Sequence, residues 1–429
     1  MKTENALKIE NIIKQPDAGD FMGIKIEDGI PKLYVPLTFR IAEDEKQRSR
    51  DILLFLRSIS LGFKDKEYIN QFGLSSNDQW PIDSYLWLIK DYLEFGLFQN
   101  REKTYKEGNY GRINWKRTIR KTPIISNGNI IYTNIITEKN SATDDLLSYT
   151  YKYCLNISAE RVGWLLSFTG SFHLENAFSI NEMVSAVRKA SSVTFDDLKR
   201  SRLHHMLLIL SNARESSQHS KEQTYGIRNY YYVFERMVDS YFGGIDQKRI
   251  RDYYPHGQWN LYPNLDIAVD SSELRPDTIR RGNKDEKYTY IIDAKMYKYG
   301  GLEQLKYSTE GLPETTSIQK QITYGEYVQN YVETSRVVRN MFILPFDKSI
   351  DRLSKEKGNV RYINENIAFI GFAKGDWRLV NKTGLNEYEY VLSFMVDFNH
   401  LLRNHKKLID DESFRLIESV YSMCCYARH

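Results

Sequence analysis

The stretch that decides the fold is Leu274-Arg275-Pro276-Asp277-Thr278-Ile279, followed after a polar connection by Tyr290-Ile291-Ile292-Asp293-Ala294-Lys295. Both segments are short, contain β-branched residues and are bounded by polar residues, which is typical of strands. The connection, residues 280–287 (RRGNKDEK), has the composition of a turn. The sequence therefore predicts an antiparallel hairpin that carries an acidic residue in each strand.

The acidic residues of this hairpin are expected on one face. Side chains alternate across a strand, so Asp293 and Lys295 share a face. A turn at residues 282–286 would place Asp277 opposite Ile291 and diagonal to Asp293, at about 7 Å, on that same face. A shift of the register by one residue would send Asp277 to the other face.

Two carboxylates and an amine on one face suit phosphodiester hydrolysis. Paired carboxylates bind Mg²⁺, which keeps several waters and accepts phosphate oxygens, and Mn²⁺ can substitute for it. The ion activates a water and neutralises charge, and a nearby ammonium adds to this. We predict Asp277 and Asp293 as metal ligands and as catalytic residues together with Lys295. An alternative takes Asp266 or Asp270 as the first metal carboxylate and needs a different strand pairing.

The hydrophobic pattern around the hairpin predicts an α/β (α+β) fold with several domains. In the second half, helices are expected at 229–242, 317–332, 390–405 and 412–426, and further strands at 264–270, 337–344 and 366–373. This order indicates a mixed sheet flanked by helices in residues 221–429. An α+β region is expected at 1–140, with a turn at 126–129 between two strands, and a helical connecting region at 141–220. A polar linker is expected at 211–224.

Residues 101–123 form a basic segment with interleaved aromatic residues. Eight basic and two acidic side chains give it a charge of +6, more than the net +4 of the whole chain. Such a run is either a solvated face or a nucleic-acid contact surface, where basic groups bind phosphates and aromatic rings stack. The residues predicted to contact DNA are Arg112, Lys116, Arg117, Arg120 and Lys121.

The whole-chain composition narrows the class of protein. The 429 residues include 41% hydrophobic and 13% aromatic residues, enough for globular domains. Three cysteines, the lack of a signal-peptide core and the shortness of the apolar runs predict a cytoplasmic protein with no membrane partner. The sequence contains no GxxxxGK[ST] motif, so we do not expect it to hydrolyse a nucleoside triphosphate by itself.

The hairpin resembles the core motif of the PD-(D/E)XK nuclease superfamily at Pro276, Asp277, Asp293 and Lys295. The resemblance implies a PD-(D/E)XK nuclease domain at 221–429. It also implies an acidic metal ligand on the first core helix, for which Glu235 is the candidate. A polar residue on the helix after the second strand commonly assists, and Gln319, with its neighbour Lys320, is the preferred candidate.

A second resemblance comes from the first half of the chain. Residues 111–119 (GRINWKRTI), followed by 122–125 (TPII) and 129–132 (NIIY), resemble the LlaJI family of restriction endonucleases, relatives of the McrC subunit of modification-dependent restriction. The resemblance covers roughly residues 50 to 400. It implies a Mg²⁺-dependent nuclease that cleaves double-stranded DNA in defence against foreign DNA, with a separate McrB-like AAA+ GTPase as motor partner. A homodimer would serve cleavage of both strands.

Two other functions stay open at this point. A DNA-binding or scaffolding subunit with an inactive nuclease fold would also use the basic segment and a motor partner. An RNA nuclease would use the same acidic pair. The recognition sequence, the methylation preference and a requirement for GTP cannot be read from the residues.

Overall fold

The computed structural model describes residues 9–27, 30–63, 81–108, 112–121, 123–127, 129–143, 146–166, 168–174, 178–218, 223–243, 250–282, 287–302, 308–350, 361–378 and 386–426. The chain divides into two compact units. Unit 1 takes its described residues from 80–223, and unit 2 takes them from 7–79 and 224–429. Residues before 80 and residues after 223 therefore belong to the same unit.

The helices and strands of the described residues are as follows. The strands are β1 Ile12–Gln15, β2 Met22–Glu27, β3 Ile30–Pro36, β4 Asn100–Glu107, β5 Arg112–Ile113, β6 Ile124–Ser126, β7 Asn129–Ile131, β8 Ile136–Thr143, β9 Gln223–Ile227, β10 His256–Asn260, β11 Ala268–Glu273, β12 Thr278–Arg281, β13 Tyr288–Ala294, β14 Val337–Phe346, β15 Arg361–Tyr362, β16 Ile367–Ala373 and β17 Val391–Asp397. The helices are α1 Glu45–Phe63, α2 Ile82–Phe95, α3 Trp115–Thr118, α4 Leu146–Val162, α5 Ile180–Val193, α6 Asp197–Gln218, α7 Tyr231–Phe242, α8 Thr315–Tyr327, α9 Phe398–Asn404 and α10 Asp411–Tyr426.

A six-stranded sheet forms the centre of unit 2, in the order β12-β13-β14-β17-β16-β15. The pairs β13–β14 and β14–β17 are parallel, and the other pairs are antiparallel. The three central strands are almost entirely buried and read as continuous apolar runs, as parallel strands with both faces covered do. This is the predicted mixed sheet, and the several sheets of the chain agree with the α+β class.

Helix α8 connects the parallel strands β13 and β14 and covers one face of the sheet. Ile279 and Ile291 from that face pack in one buried cluster with Tyr324 and Val338. A second cluster joins Ile322 of the same helix to further residues of the central strands. Because side chains alternate along a strand, the odd-numbered residues of β13 point to the face that α8 covers.

The N-terminal residues of unit 2 are fixed to this part of the unit by ion pairs whose carboxylates are buried. Strands β1, β2, β3 and β9 form a second sheet in the order β1-β3-β2-β9. The Arg40 guanidinium lies 2.7 Å from a carboxylate oxygen of Asp397, at the end of β17. Arg403 of α9 pairs with the buried Asp51 of α1 at 2.6 Å. The segment before residue 64 is therefore part of the unit that carries the predicted site.

Unit 1 combines helices with small sheets. Helices α2, α4 and α6 meet around the buried Asp91, whose carboxylate accepts hydrogen bonds from Tyr151 at 2.7 Å and Arg202 at 2.8 Å. Strands β4, β8 and β5 form a three-stranded sheet, and β6 and β7 form a two-stranded hairpin. That hairpin and its turn confirm the strand pair predicted beside residues 126–129.

Three predicted elements differ from the structure. The strand predicted at 264–270 begins only at Ala268 and runs to Glu273. Residues 390–405 are not one helix: β17 runs from Val391 to Asp397 and α9 follows it. A continuous apolar run occurs both in buried strands and in buried helices, so the pattern of residues 391–397 did not indicate which of the two forms. The linker expected at 211–224 is helical as far as Gln218, and strand β9 begins at Gln223.

No helix in the described part of the chain is long and apolar enough to span a bilayer.

Candidate active site

The β12–β13 hairpin brings Asp277 and Asp293 together. The first ladder pair is Thr278 with Ile292, so Asp277, one residue before β12, lies opposite Asp293. The predicted partner, Ile291, was wrong by two residues. An even shift keeps a side chain on its face, so the two carboxylates still share a face.

The two carboxylates lie in a largely buried and negatively charged environment. The backbone N–H of Ala294 donates a hydrogen bond to Asp277 Oδ2 at 2.8 Å. Asp293 is 3% exposed. Burial raises the pKa of Asp277 well above its ordinary value, and the negative charges of Asp293 and Glu235 raise it further. The site therefore concentrates negative charge that a cation would relieve.

Lys295, two residues after Asp293, lies on the same face of the hairpin. Its Nζ lies 2.5 Å from Asp293 Oδ2, and its side chain is 18% exposed. Burial by itself would lower the pKa of Lys295, but the charges of Asp293 and Asp277 outweigh it, so the pKa is raised. The ammonium therefore keeps its charge beside the two carboxylates at neutral pH.

Helix α7 adds Glu235 to this cluster. The helix buries Val233, Phe234, Met237 and Val238, which leaves Glu235 half-buried at the edge of the buried stripe. Burial raises the pKa of Glu235 from 4.5 to about 7, Asp293 raises it as well, and Lys295 opposes the shift. These couplings place Glu235 close to the predicted pair, where the resemblance had assigned an acidic residue.

Two members of the cluster, Glu235 and Lys295, line a cleft of about 870 Å³. Asp17 and Gly19 of the loop after β1 lie on another side of this cleft. The backbone N–H of Tyr230, at the start of α7, donates to the carbonyl of Ala18 at 2.9 Å. The N-terminal sheet therefore contributes one side of the space in front of the acidic cluster.

Helix α8 places its two glutamines differently. Gln319 is exposed. Gln321 is fully buried, and its Nε2 donates to the carbonyl of Ile291 in β13 at 2.9 Å. Lys320 is also exposed and is near enough to Glu235 to lower its pKa. The structure thus brings Lys320 toward the cluster. Gln319 and Gln321 differ by two residues and so face different ways on the helix, and the preference for Gln319 selected the exposed one of the two.

The alternative first ligands lie elsewhere. Strands β10 and β11 form a separate two-stranded sheet, and Asp266 and Asp270 are exposed on this hairpin. Asp270 Oδ1 accepts a hydrogen bond from Gln258 Nε2 at 2.9 Å. The strand pairing that the alternative required is therefore wrong.

The acidic cluster fits a hard divalent cation by its donor chemistry. Mg²⁺ is usually held by one or two carboxylates plus waters and phosphate oxygens, and Asp277 and Asp293 supply such a pair. Within the described ranges, no three His, Cys, Asp or Glu side chains lie at distances that would hold an ion without rearrangement. Glu235 would have to approach the pair to serve as a third ligand.

The five predicted DNA-contacting residues all lie exposed in unit 1, on β5, α3 and the residues after α3. The Arg117 guanidinium stacks over the ring of Tyr105 at 3.7 Å, and Lys121 pairs with Glu107 at 2.7 Å. Asn114 caps α3 by accepting from the Arg117 N–H, which gives this part of the GRINWKRTI string a structural role. Their contact with DNA stays a prediction.

Comparison with known proteins finds a protein family and four matching chains of solved structures, among them the two below. The family described as LlaJI restriction endonuclease matches residues 36–370. A Thermococcus gammatolerans assembly of McrB AAA+ hexamers with bound McrC is 14% identical over 94% of this chain and 82% of that chain, with a TM-score of 0.36. The McrBC complex of the same organism is 17% identical over 44% and 58% of the two chains, with a TM-score of 0.19. The comparison with curated proteins finds no match.

Proposed function

Because the chain belongs to the LlaJI restriction endonuclease family, we propose that it is the Mg²⁺-dependent, double-stranded-DNA-cleaving component of a restriction system. The observation that carries the proposal is the cluster of Asp277, Asp293, Glu235 and Lys295, of which Glu235 and Lys295 line a cleft. In this proposal the β12–β13 hairpin, its sheet and helices α7 and α8 form a PD-(D/E)XK core. Mn²⁺ is expected to substitute for Mg²⁺.

The roles of the side chains follow from their charges and positions. Asp277 and Asp293 would hold the cation, which activates water and neutralises charge on the phosphate when it is bound. Lys295 is kept protonated by the two aspartates, so it serves as a fixed positive group for a phosphate oxygen rather than as a base. Glu235 has a pKa of about 7 without a cation and can hold or release a proton near neutral pH.

A separate motor subunit is the second part of the proposal. The family resemblance and the absence of a GxxxxGK[ST] motif from the sequence support dependence on an McrB-like AAA+ GTPase. The exposed basic residues of unit 1 are proposed to contact DNA phosphates, and a homodimer is proposed to cleave both strands. We expect the protein to act in the cytoplasm.

The experiment is plasmid cleavage by the wild type and by Asp293→Asn, with and without Mg²⁺, the motor subunit and GTP. We expect cleavage only with Mg²⁺ and a loss of at least about a hundredfold in Asp293→Asn, because the variant loses a charged ligand. An exchange of the exposed Asp270 for Asn is the matched control and should cleave normally. Equal cleavage by Asp293→Asn and the wild type would refute the site. A wild type that binds DNA and the motor but never cleaves would favour the scaffolding function.

A further inference from the structure

Tyr324 of α8 reaches the chain segment that leads into Asp277. Its side chain has no exposed surface, and its hydroxyl donates a hydrogen bond to the carbonyl of Arg275 at 3.0 Å. Pro276, which has a restricted φ, is the one residue between that carbonyl and Asp277. The hydrogen bond therefore acts on the backbone two residues before a carboxylate of the site.

This segment is not held by the sheet. The β12–β13 ladder begins at Thr278, so residues 274–277 lie before it. The Leu274 N–H donates to the carbonyl of Pro255 at 2.8 Å. The Arg275 side chain is 54% exposed, with its guanidinium 3.6 Å from Glu273 and over the ring of Tyr254 at 6.0 Å. The Tyr324 hydroxyl therefore holds the backbone at Arg275, where the β12–β13 ladder supplies no hydrogen bond.

Helix α8 also holds the opposite strand of the hairpin. Gln321 Nε2 donates to the carbonyl of Ile291, two residues before Asp293, at 2.9 Å. Gln321 and Tyr324 are three residues apart and therefore lie on one face of α8. One helix thus anchors the backbone two residues before each aspartate.

We propose that Tyr324 is a positioning residue, whose hydroxyl holds Arg275 and thereby fixes the separation of the Asp277 and Asp293 carboxylates. The buried carboxylate of Asp293 and the half-buried carboxylate of Asp277 repel each other when both are ionised and no cation lies between them, and the repulsion displaces the side that is less firmly held. Asp293 lies inside a central strand, so Asp277 is the side that moves when the anchor is lost. The inference rests on the proposed function only for its consequence in metal binding and cleavage.

Tyr324→Phe tests this inference, because it removes the hydroxyl and keeps the ring in its buried cluster. The first readout is amide hydrogen exchange of the metal-free protein, where we expect the backbone amides of Asp277 and Thr278 to exchange about five- to tenfold faster than in the wild type. The second is Mn²⁺ affinity measured by electron paramagnetic resonance, where we expect a loss of about tenfold. The third is plasmid cleavage, which should recover at high Mg²⁺.

Tyr327→Phe is the matched control, since Tyr327 is half-buried on the same helix and stacks on Tyr331 at 5.4 Å. It should leave all three readouts unchanged. Unchanged exchange and Mn²⁺ affinity in Tyr324→Phe would overturn the inference, and so would faster exchange throughout unit 2 or a cleavage loss that Mg²⁺ does not rescue. Wild type and Asp293→Asn, measured in parallel, report on the proposed function. If they behave as expected and Tyr324→Phe matches the wild type, only the role of Tyr324 fails.

Discussion

Exchanging Glu235 for Gln should make the metal-free protein more stable at alkaline pH. In the folded protein the pKa of Glu235 is raised from 4.5 to about 7 by burial and by the charge of Asp293. Its carboxyl therefore binds a proton more tightly in the folded than in the unfolded chain. The associated stability is fully present below pH 4.5, is lost as the pH rises to about 7, and stays lost above it.

The size of this loss follows from the shift. At about 1.4 kcal/mol for each tenfold change in proton affinity, the rise from 4.5 to about 7 corresponds to about 3 kcal/mol at most. A domain of this size changes its melting temperature by about 2–4 °C per kcal/mol. Glu235→Gln removes the charge and keeps the shape, so it should melt up to about 6–12 °C above the wild type at pH 8.

The assay is thermal unfolding of both proteins in a chelator at pH 5 and pH 8. The gap between variant and wild type should be small at pH 5 and large at pH 8. Glu412→Gln, which changes an exposed carboxyl of α10, is the control and should show no such pH-dependent gap. Adding Mg²⁺ at pH 8 should stabilise the wild type more than the variant, because a cation relieves the same repulsion. A gap of equal size at both pH values would refute this electrostatic reasoning.

Three further predictions concern cleavage, DNA affinity and folding. Lys295→Met should lower plasmid cleavage at least about a hundredfold while DNA affinity changes little, since its ammonium faces the acidic pair; a normal rate would contradict its role. Replacing Lys116 and Arg120 together by Ala should reduce the slope of log affinity against log salt by up to about 2, measured by fluorescence anisotropy, and an unchanged slope would argue against the basic segment as the contact. Arg339 is 1% exposed and pairs with Glu387 at 2.6 Å, so Arg339→Met should destabilise the protein by about 3–5 kcal/mol in urea unfolding, and a loss below about 1 kcal/mol would contradict this.

The local pattern around Asp277 and Asp293 predicted their hairpin because alternation and turn composition are properties of neighbouring residues. It misplaced the register by two residues, because the length of a polar turn does not fix which of its residues pair. The two aspartates still share a face because the register was wrong by an even number of residues. The prediction of an acidic cluster therefore depended on the exact register, which a single sequence indicates less firmly than the presence of the strands.

Other features depend on the tertiary structure, including contacts between residues that are far apart in the sequence. The strand Val391–Asp397 is buried on both faces, so it lacks the alternation that distinguishes a strand from a helix. The pairing of Asp51 with Arg403 joins residues 352 positions apart, and no local pattern indicates that the N-terminal segment belongs to unit 2. The choice between Gln319 and Gln321 depends on which face of α8 packs against the hairpin, and the sequence does not specify that face.

Anomalous diffraction from crystals soaked in Mn²⁺ would show whether the two aspartates hold a metal ion. We predict a peak between Asp277 and Asp293, with carboxylate oxygens at about 2.0–2.2 Å, and its loss in Asp293→Asn crystals. A peak at Asp266 or Asp270, or no peak between Asp277 and Asp293 at a concentration that supports cleavage, would contradict this prediction.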